Sequence, residues 1–265
     1  MIFLIAGGVL LLSALGLLLG ARGQQTRLAQ MASVETSSSA AIEALASSVA
    51  GEIGSGSFNE TVEVKGVIEC ENPLIAELSE TPCVYYSMRV TREYEESYWE
   101  TDQKGNRSQR TRRGSERVAS NSRSTPFYVR DAAGRIRVEP EGAKLFDEKV
   151  LSRFESGGAP GRIGSFDLSG LLAGAIGGRR TLGYRFEESA LPIERKVYVL
   201  GEAADSEGRL RIQKPAAKGT AFVISLKSEE QLAQRAHRTI RGLQVGAAAA
   251  FVLAAVSIVM GLLRG

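Results

Sequence analysis

The sequence predicts a mainly β (α+β) central domain, a small sandwich or barrel-like sheet, flanked by two transmembrane α-helices. Three observations carry this prediction. The two ends of the 265-residue chain are almost free of charge, although 24% of the whole is charged. Between them, apolar and polar residues alternate with the two-residue period of half-buried strands. The alternating stretches are short and separated by turn residues, the pattern of a sandwich or barrel.

Residues 2–21 form the first element, rich in Leu, Ile, Val, Ala and Gly and without a charge. At 1.5 Å per residue the run spans about 30 Å, the hydrocarbon thickness of a bilayer. A secretory signal peptide is the competing reading. Against it, no Lys or Arg precedes the run, which also exceeds the usual apolar core of a signal. Residues 22–60 follow as a Ser/Ala/Gly-rich neck. Within it Ile42, Leu45 and Val49 have helical spacing, and Gly54-Ser55-Gly56 breaks the pattern.

The β domain covers residues 61–227. Val62, Val64, Ile68 and Cys70 alternate with Glu63, Lys65 and Glu69, and Val84, Tyr86, Met88 and Val90 repeat the pattern. Phe127–Val129 and Ile136–Val138 flank the turn Asp131–Gly134 and read as a hairpin. Later strands are expected at 196–201, 210–212 and 222–225. Ser228 and Gln231 then have the spacing of a capping box, which predicts a juxtamembrane helix over 228–242. It continues into a second apolar run at 243–263, where Gln244 and Ser257 are the only polar side chains. The β domain is therefore expected close to a lipid bilayer.

Basic residues set the expected orientation. Arg22 and Arg27 follow the first span; Lys227, Arg235, Arg238 and Arg241 precede the second. The positive-inside rule then makes an integral, two-pass membrane protein with its central domain cytoplasmic and its thiols reduced. Within the spans, Gly16 and Gly20, and Gly246 and Ala250, have small-xxx-small spacing. This suits helix packing or a homo-oligomer through the spans.

Little in the sequence offers catalysis. Of 33 Lys and Arg and 30 Asp and Glu, only Arg264 lies outside Arg22–Arg241, which excludes a purely soluble protein and a disordered chain. His237, the one histidine, sits among Arg235, Arg238 and Arg241 with no acid to orient it. Two Cys and one His cannot build a four-ligand zinc site unaided, and no cofactor or metal is expected. Cys70 and Cys83 read as buried small residues, with a disulfide open to them if the domain were exported. The stretch Gly157–Gly178 is glycine-rich but holds no phosphate-loop motif. Its short apolar piece Leu168–Ile176 is a candidate to dip into the membrane interface.

The strongest charge pattern lies in 93–123. Glu93, Glu95, Glu96, Glu100 and Asp102 form an acidic arm; Arg107, Arg110, Arg112, Arg113 and Arg117 belong to a basic arm, with Gly105-Asn106 between. The basic arm is a candidate contact for an anionic surface. The proximity of the acidic arm favours one long hairpin with cross-strand ion pairs, and disfavours nucleic acid.

The run LGYRFEESALPIERKVYVLGEA (182–203), LRIQKP (210–215) and AFVISLKSEEQL (221–232) resembles the GIDE family. VEVKGVIE (62–69), PCVYYSMRV (82–90) and PFYVRDAAGRIRVEP (126–140) are similar to the first half of the same domain, also called the "beside a membrane" domain. The best-known members are mitochondrial membrane-anchored ubiquitin ligases. The resemblance therefore implies E3 ubiquitin-protein transferase activity, a domain facing away from the cytosol, and a RING finger whose two zincs need eight Cys and His ligands. This chain holds three such residues and ends two residues after the second span, so a RING would come from another subunit.

Three functions are thus weighed. The first is a non-catalytic module that senses a ligand, lipid or protein partner through its β domain. The second is E3 ubiquitin ligase activity with a borrowed RING. The third is a membrane-perforating effector, suggested by the small-residue faces of the spans.

Overall fold

The computed structural model describes residues 2–101, 103–157, 161–167, 179–206, 208–217 and 219–263. Most of the glycine-rich stretch, with the apolar piece 168–176, lies outside them. Two long helices bracket the β domain: α1 (Ile2–Ser33) and α3 (Glu229–Leu263). Both are long and apolar enough to cross a membrane. Ile5, Leu12, Leu19, Val245, Val252 and Leu263 are among the many large apolar side chains they expose. That surface is too extensive to leave in water.

The two helices run antiparallel. Position 7 of α1 lies against Ile258, Leu17 against Gly246, and Gly20 near Leu243. The contact stripe is Gly7, Ala14 and Ala21 on α1 and Ala247, Ala254 and Gly261 on α3, all buried. Each set repeats every seven residues, the period that keeps one seam facing a partner. A Cβ at Gly7 would meet Ile258 Cγ1 at 2.6 Å, so the helices approach closely there. The small-xxx-small pairs of the sequence are not the seam. Gly16 faces open space, Gly20 has only Leu243 within 3.8 Å, and Gly246 touches the side of Leu17 at 3.5 Å. A four-residue spacing drifts off a seam that a seven-residue repeat follows.

α1 runs twelve residues beyond the expected end at Ala21, because nothing between Arg22 and Ser33 except Gly23 opposes helix. A short helix, α2 (Ser39–Glu52), follows, capped by the Ser38 side chain accepting from Ala41 N. Ile42 and Ala46 are its buried apolar positions, while Leu45, expected to face inward, is exposed.

The β domain has fourteen described strands. Five close into a barrel: β1 (Asn59–Glu69), β5 (Phe127–Arg130), β6 (Arg135–Val138), β13 (Arg211–Gln213) and β12 (Lys196–Ala204). β12 returns antiparallel to β1 from Asn59↔Ala204 to Val67↔Lys196, closing the ring. Within the ring β6–β13 is parallel, as is β14–β7 in the extension of the sheet. Val62, Val64, Ile68, Val129, Val199 and Ile212 fill the interior, and Ile42, Ala46 and Val49 of α2 cover one opening. β14 (Val223–Ser225) and β7 (Lys144–Phe146) extend the sheet from β12.

The second sheet is open. Its long strands are β4 (Arg107–Ser124), β3 (Pro82–Thr101), β11 (Arg179–Pro192) and β8 (Glu148–Ser156), all antiparallel; β2 (Leu74–Ile75) pairs with the start of β3. β9 (Arg162–Ile163) and β10 (Phe166–Asp167) form a small hairpin beside it. Met88, Val90, Tyr184 and Phe186 pack this sheet against Leu78 and Ile163. The fold is mainly β, a barrel joined to a half-barrel, as the alternation implied.

Candidate functional site

β12 is buried on both faces. Val197 and Val199 enter the barrel, while Tyr198 and Leu200 face outward under Val34, Val223 and Leu232. Val34 lies just past α1 and Leu232 is in the first turn of α3, so both long helices are seated on the same outer wall of the barrel.

A polar cluster completes this junction. Glu63 occupies an outward position of β1, where alternation predicts exposure, yet its side chain is 1% exposed. Its carboxylate accepts from Thr36 Oγ1 at 2.5 Å and from the Tyr198 hydroxyl at 3.0 Å, and it pairs with Lys65 Nζ at 2.9 Å. Lys65 also reaches Glu229, the first residue of α3, at 3.0 Å. The Ser37 amide donates to the Glu63 carbonyl at 2.8 Å. One chain of contacts therefore runs from the exit of α1 through β1 to the start of α3. Burial alone would lower the Lys65 ammonium, but its bonds to Glu63 and Glu229 outweigh that and raise it. Burial, then the negative charge of Glu63, pushes the Tyr198 phenol well above its ordinary value.

A cavity of about 720 Å³ opens beside this cluster, lined by Lys65, Arg130, Lys196, Tyr198, Lys227 and Gln231 among others. A smaller hollow of about 300 Å³ adjoins it along α3, sharing Lys227 and Gln231 and adding Gln234, Arg235 and Arg238. The cluster and cavity were not legible as a site in the sequence. Their residues come from β1, β5, β12 and the approach to α3, and only closure of the barrel brings them together.

The residues singled out from the sequence lie elsewhere. Arg107, Arg110, Arg112, Arg113 and Arg117 are on β4, in one hairpin with β3 that turns at Gly105, whose φ of +83° suits glycine. Glu95 faces Arg113 and Glu96 faces Arg112. Arg110 pairs with Glu100 at 2.9 Å, Arg113 with Glu95 at 3.7 Å, and Arg112 with Glu96, which also holds Arg179 of β11 at 2.7 Å. Those bonds to Arg112 and Arg179 hold the Glu96 carboxyl below its usual range. Arg107 and Arg117 make no ion pair among the described residues.

Cys70 and Cys83 are both free thiols. Cys70 packs at the barrel and its thiol lies 3.7 Å from the Pro126 carbonyl. Cys83 belongs to a separate cluster with Ala76, Tyr86 and Ala190, so no bridge joins the two. Burial, and then the charge of Glu188, pushes the Cys83 thiol up to about 11. His237 is exposed on α3. Ser228 directly precedes α3, and its hydroxyl donates to Glu230 at 2.5 Å.

Among known proteins, a family model described as GIDE, E3 Ubiquitin ligase, matches residues 95–261, more than half of the chain. No curated protein and no solved structure matches. The matched span takes in the end of β3, β4 to β14 and nearly all of α3, and leaves out β1, β2 and most of β3.

Proposed function

The chain belongs to the GIDE family, and we propose that within it this protein acts as a two-pass membrane module. In this reading its β domain binds a ligand, lipid or protein partner and passes that state to the helix pair. The observation that carries it is the contact chain Thr36–Glu63–Lys65–Glu229, which ties both long helices to one barrel wall. A change in the cavity beside Tyr198 would act directly on that chain. Basic residues next to both spans favour a cytoplasmic β domain.

The test uses the full chain in vesicles. Leu17→Cys and Gly246→Cys, with Cys70 and Cys83 changed to Ala, report helix pairing by their rate of oxidative cross-linking. Lys65→Met breaks the contact chain and is expected to change that rate several-fold; an unchanged rate removes the proposed coupling. A reporter cysteine at Ser108, on the outer strand of the hairpin, gives the side of the membrane. Labelling by an impermeant reagent in intact cells would place the domain outside and overturn the cytoplasmic assignment.

The family's description supports a second reading, E3 ubiquitin ligase. It requires a RING from outside these 265 residues, which hold two Cys and one His. Ubiquitin transfer by the purified chain with activating and conjugating enzymes alone would displace the binding reading.

A further inference from the structure

We infer that the cavity beside Tyr198 is a binding site for a phosphate ester. The inference rests on the binding-module reading and names the chemistry of its ligand. The cavity's volume, about 720 Å³, falls within the range of small-molecule sites. Its basic residues converge from four separate segments: Lys65 of β1, Arg130 of β5, Lys196 of β12 and Lys227 ahead of α3. A solvated basic face has no need of such convergence.

These four cations differ in what holds them. Lys65 is fixed by Glu63 and Glu229, and Arg130 by Glu69. Lys196 and Lys227 make no ion pair among the described residues, the Asp147 carboxyl feeling the Lys227 charge only from beyond ion-pair distance. The two carboxylates on the lining are already engaged. Asp131 accepts from the Ser39 amide and hydroxyl at 2.6 and 2.8 Å, and from the Ala133 and Gly134 amides at 2.8 and 2.9 Å. Glu230 accepts from Ser228. The two cations without an ion pair among the described residues, Lys196 and Lys227, suit a group of charge near −2, which a phosphate monoester carries at neutral pH. Lysine supplies the compact point charge that phosphate takes well. Val67 and Leu226 also line the cavity, giving an apolar wall for the organic part of the ester.

The same chemistry has two sources, a soluble phosphate ester or a lipid headgroup. Gln231 on the lining is twelve residues before Leu243, where the uncharged run starts, and about 18 Å from it along the helix. A headgroup layer is roughly 5–7 Å thick per leaflet. That separation favours the soluble source, while Arg235 and Arg238 in the adjoining hollow lie nearer the bilayer.

The test is calorimetric titration of the full chain with pyrophosphate in nanodiscs of phosphatidylcholine alone. A single binding site is expected, weakened at least tenfold in the double variant Lys196→Gln/Lys227→Gln and unchanged in Arg107→Gln/Arg110→Gln. Nanodiscs of phosphatidylcholine and phosphatidylglycerol, four to one, separate the sources. Equal pyrophosphate affinity in both compositions identifies a soluble ligand. Affinity that falls with phosphatidylglycerol in the native chain, but not in the double variant, identifies the headgroup. No pyrophosphate binding in either composition, or binding that the double variant leaves intact, overturns the site. Coupling is read separately by the Leu17–Gly246 cross-link without pyrophosphate, so loss of the ligand class and loss of the module reading are distinguishable.

Discussion

The Tyr198 hydroxyl donates to the Glu63 carboxylate at 3.0 Å where both residues are almost wholly buried, 2% and 1% exposed. A buried carboxylate is tolerated only when its oxygens are bonded. Here the partners come from β12, from the segment after α1, and from Lys65, so the cost of burying Glu63 is offset only while the junction is assembled.

Tyr198→Phe removes one of these bonds and leaves the carboxylate in place. A loss of about 1–3 kcal/mol is expected. Thermal unfolding of the full chain in detergent measures it, and a melting temperature equal to the native one would show that the bond contributes nothing.

Glu188 is another buried carboxylate, 1% exposed, and it serves the half-barrel. It accepts from the Leu78 amide at 3.0 Å and the Ser79 amide at 2.7 Å, holding the loop between β2 and β3. Glu188→Gln can accept only one of these well and is expected to cost roughly 1.5–3 kcal/mol. The same change removes the charge that helps raise Cys83, so Cys83 should be alkylated faster. In the native chain Cys70 should react first. Mass spectrometry after timed iodoacetamide treatment reads both, and equal native rates for the two thiols would contradict the burial of Cys83.

Asp131 gives an acid-side dependence. Burial raises its carboxyl, but the Ser39 bonds and the Ala133 and Gly134 amides together outweigh burial and hold it below its ordinary value. A depressed carboxylate contributes stability above its unfolded value, near 4, and loses it as pH falls through the lower folded value. The protection of α2 amides relative to intrinsic exchange is therefore expected to fall below about pH 4, and Asp131→Asn should show low protection and fast exchange already at pH 7. Slow exchange in that variant would sink the assignment.

In the helix pair, Ala14→Leu should disrupt the seam while Gly16→Leu should not, since Ala14 is fully buried and Gly16 meets open space. The Leu17–Gly246 cross-link reports both. Equal yields from the two variants would refute the seven-residue seam.

At the hairpin, Glu96→Lys should quicken amide exchange in β3 and β4 by placing a third cation beside Arg112 and Arg179. Adding Arg112→Glu should reverse part of that change. An additive result from the two substitutions would deny their contact.

The barrel strands were legible because their interior positions are apolar and regularly alternating, as Val62, Val64 and Ile68 illustrate. β11 was not. Its inward row Tyr184, Phe186, Glu188 and Ala190 is interrupted by a carboxylate that caps a distant loop, and no local rule anticipates this. The junction failed to show for a related reason. Glu63 and Lys65 look like ordinary outward residues of a half-exposed strand until the chain on either side of the domain folds over them. The hairpin was legible because its two arms are adjacent in sequence and opposite in sign.

β4 pairs with β3 on one side and, among the described strands, with nothing on the other. Eighteen residues of unpaired backbone would template aggregation in any protein. Arginines along this edge, Arg107 and Arg117 without an ion pair among the described residues, put like charge where a second such edge would have to approach, which disfavours that pairing.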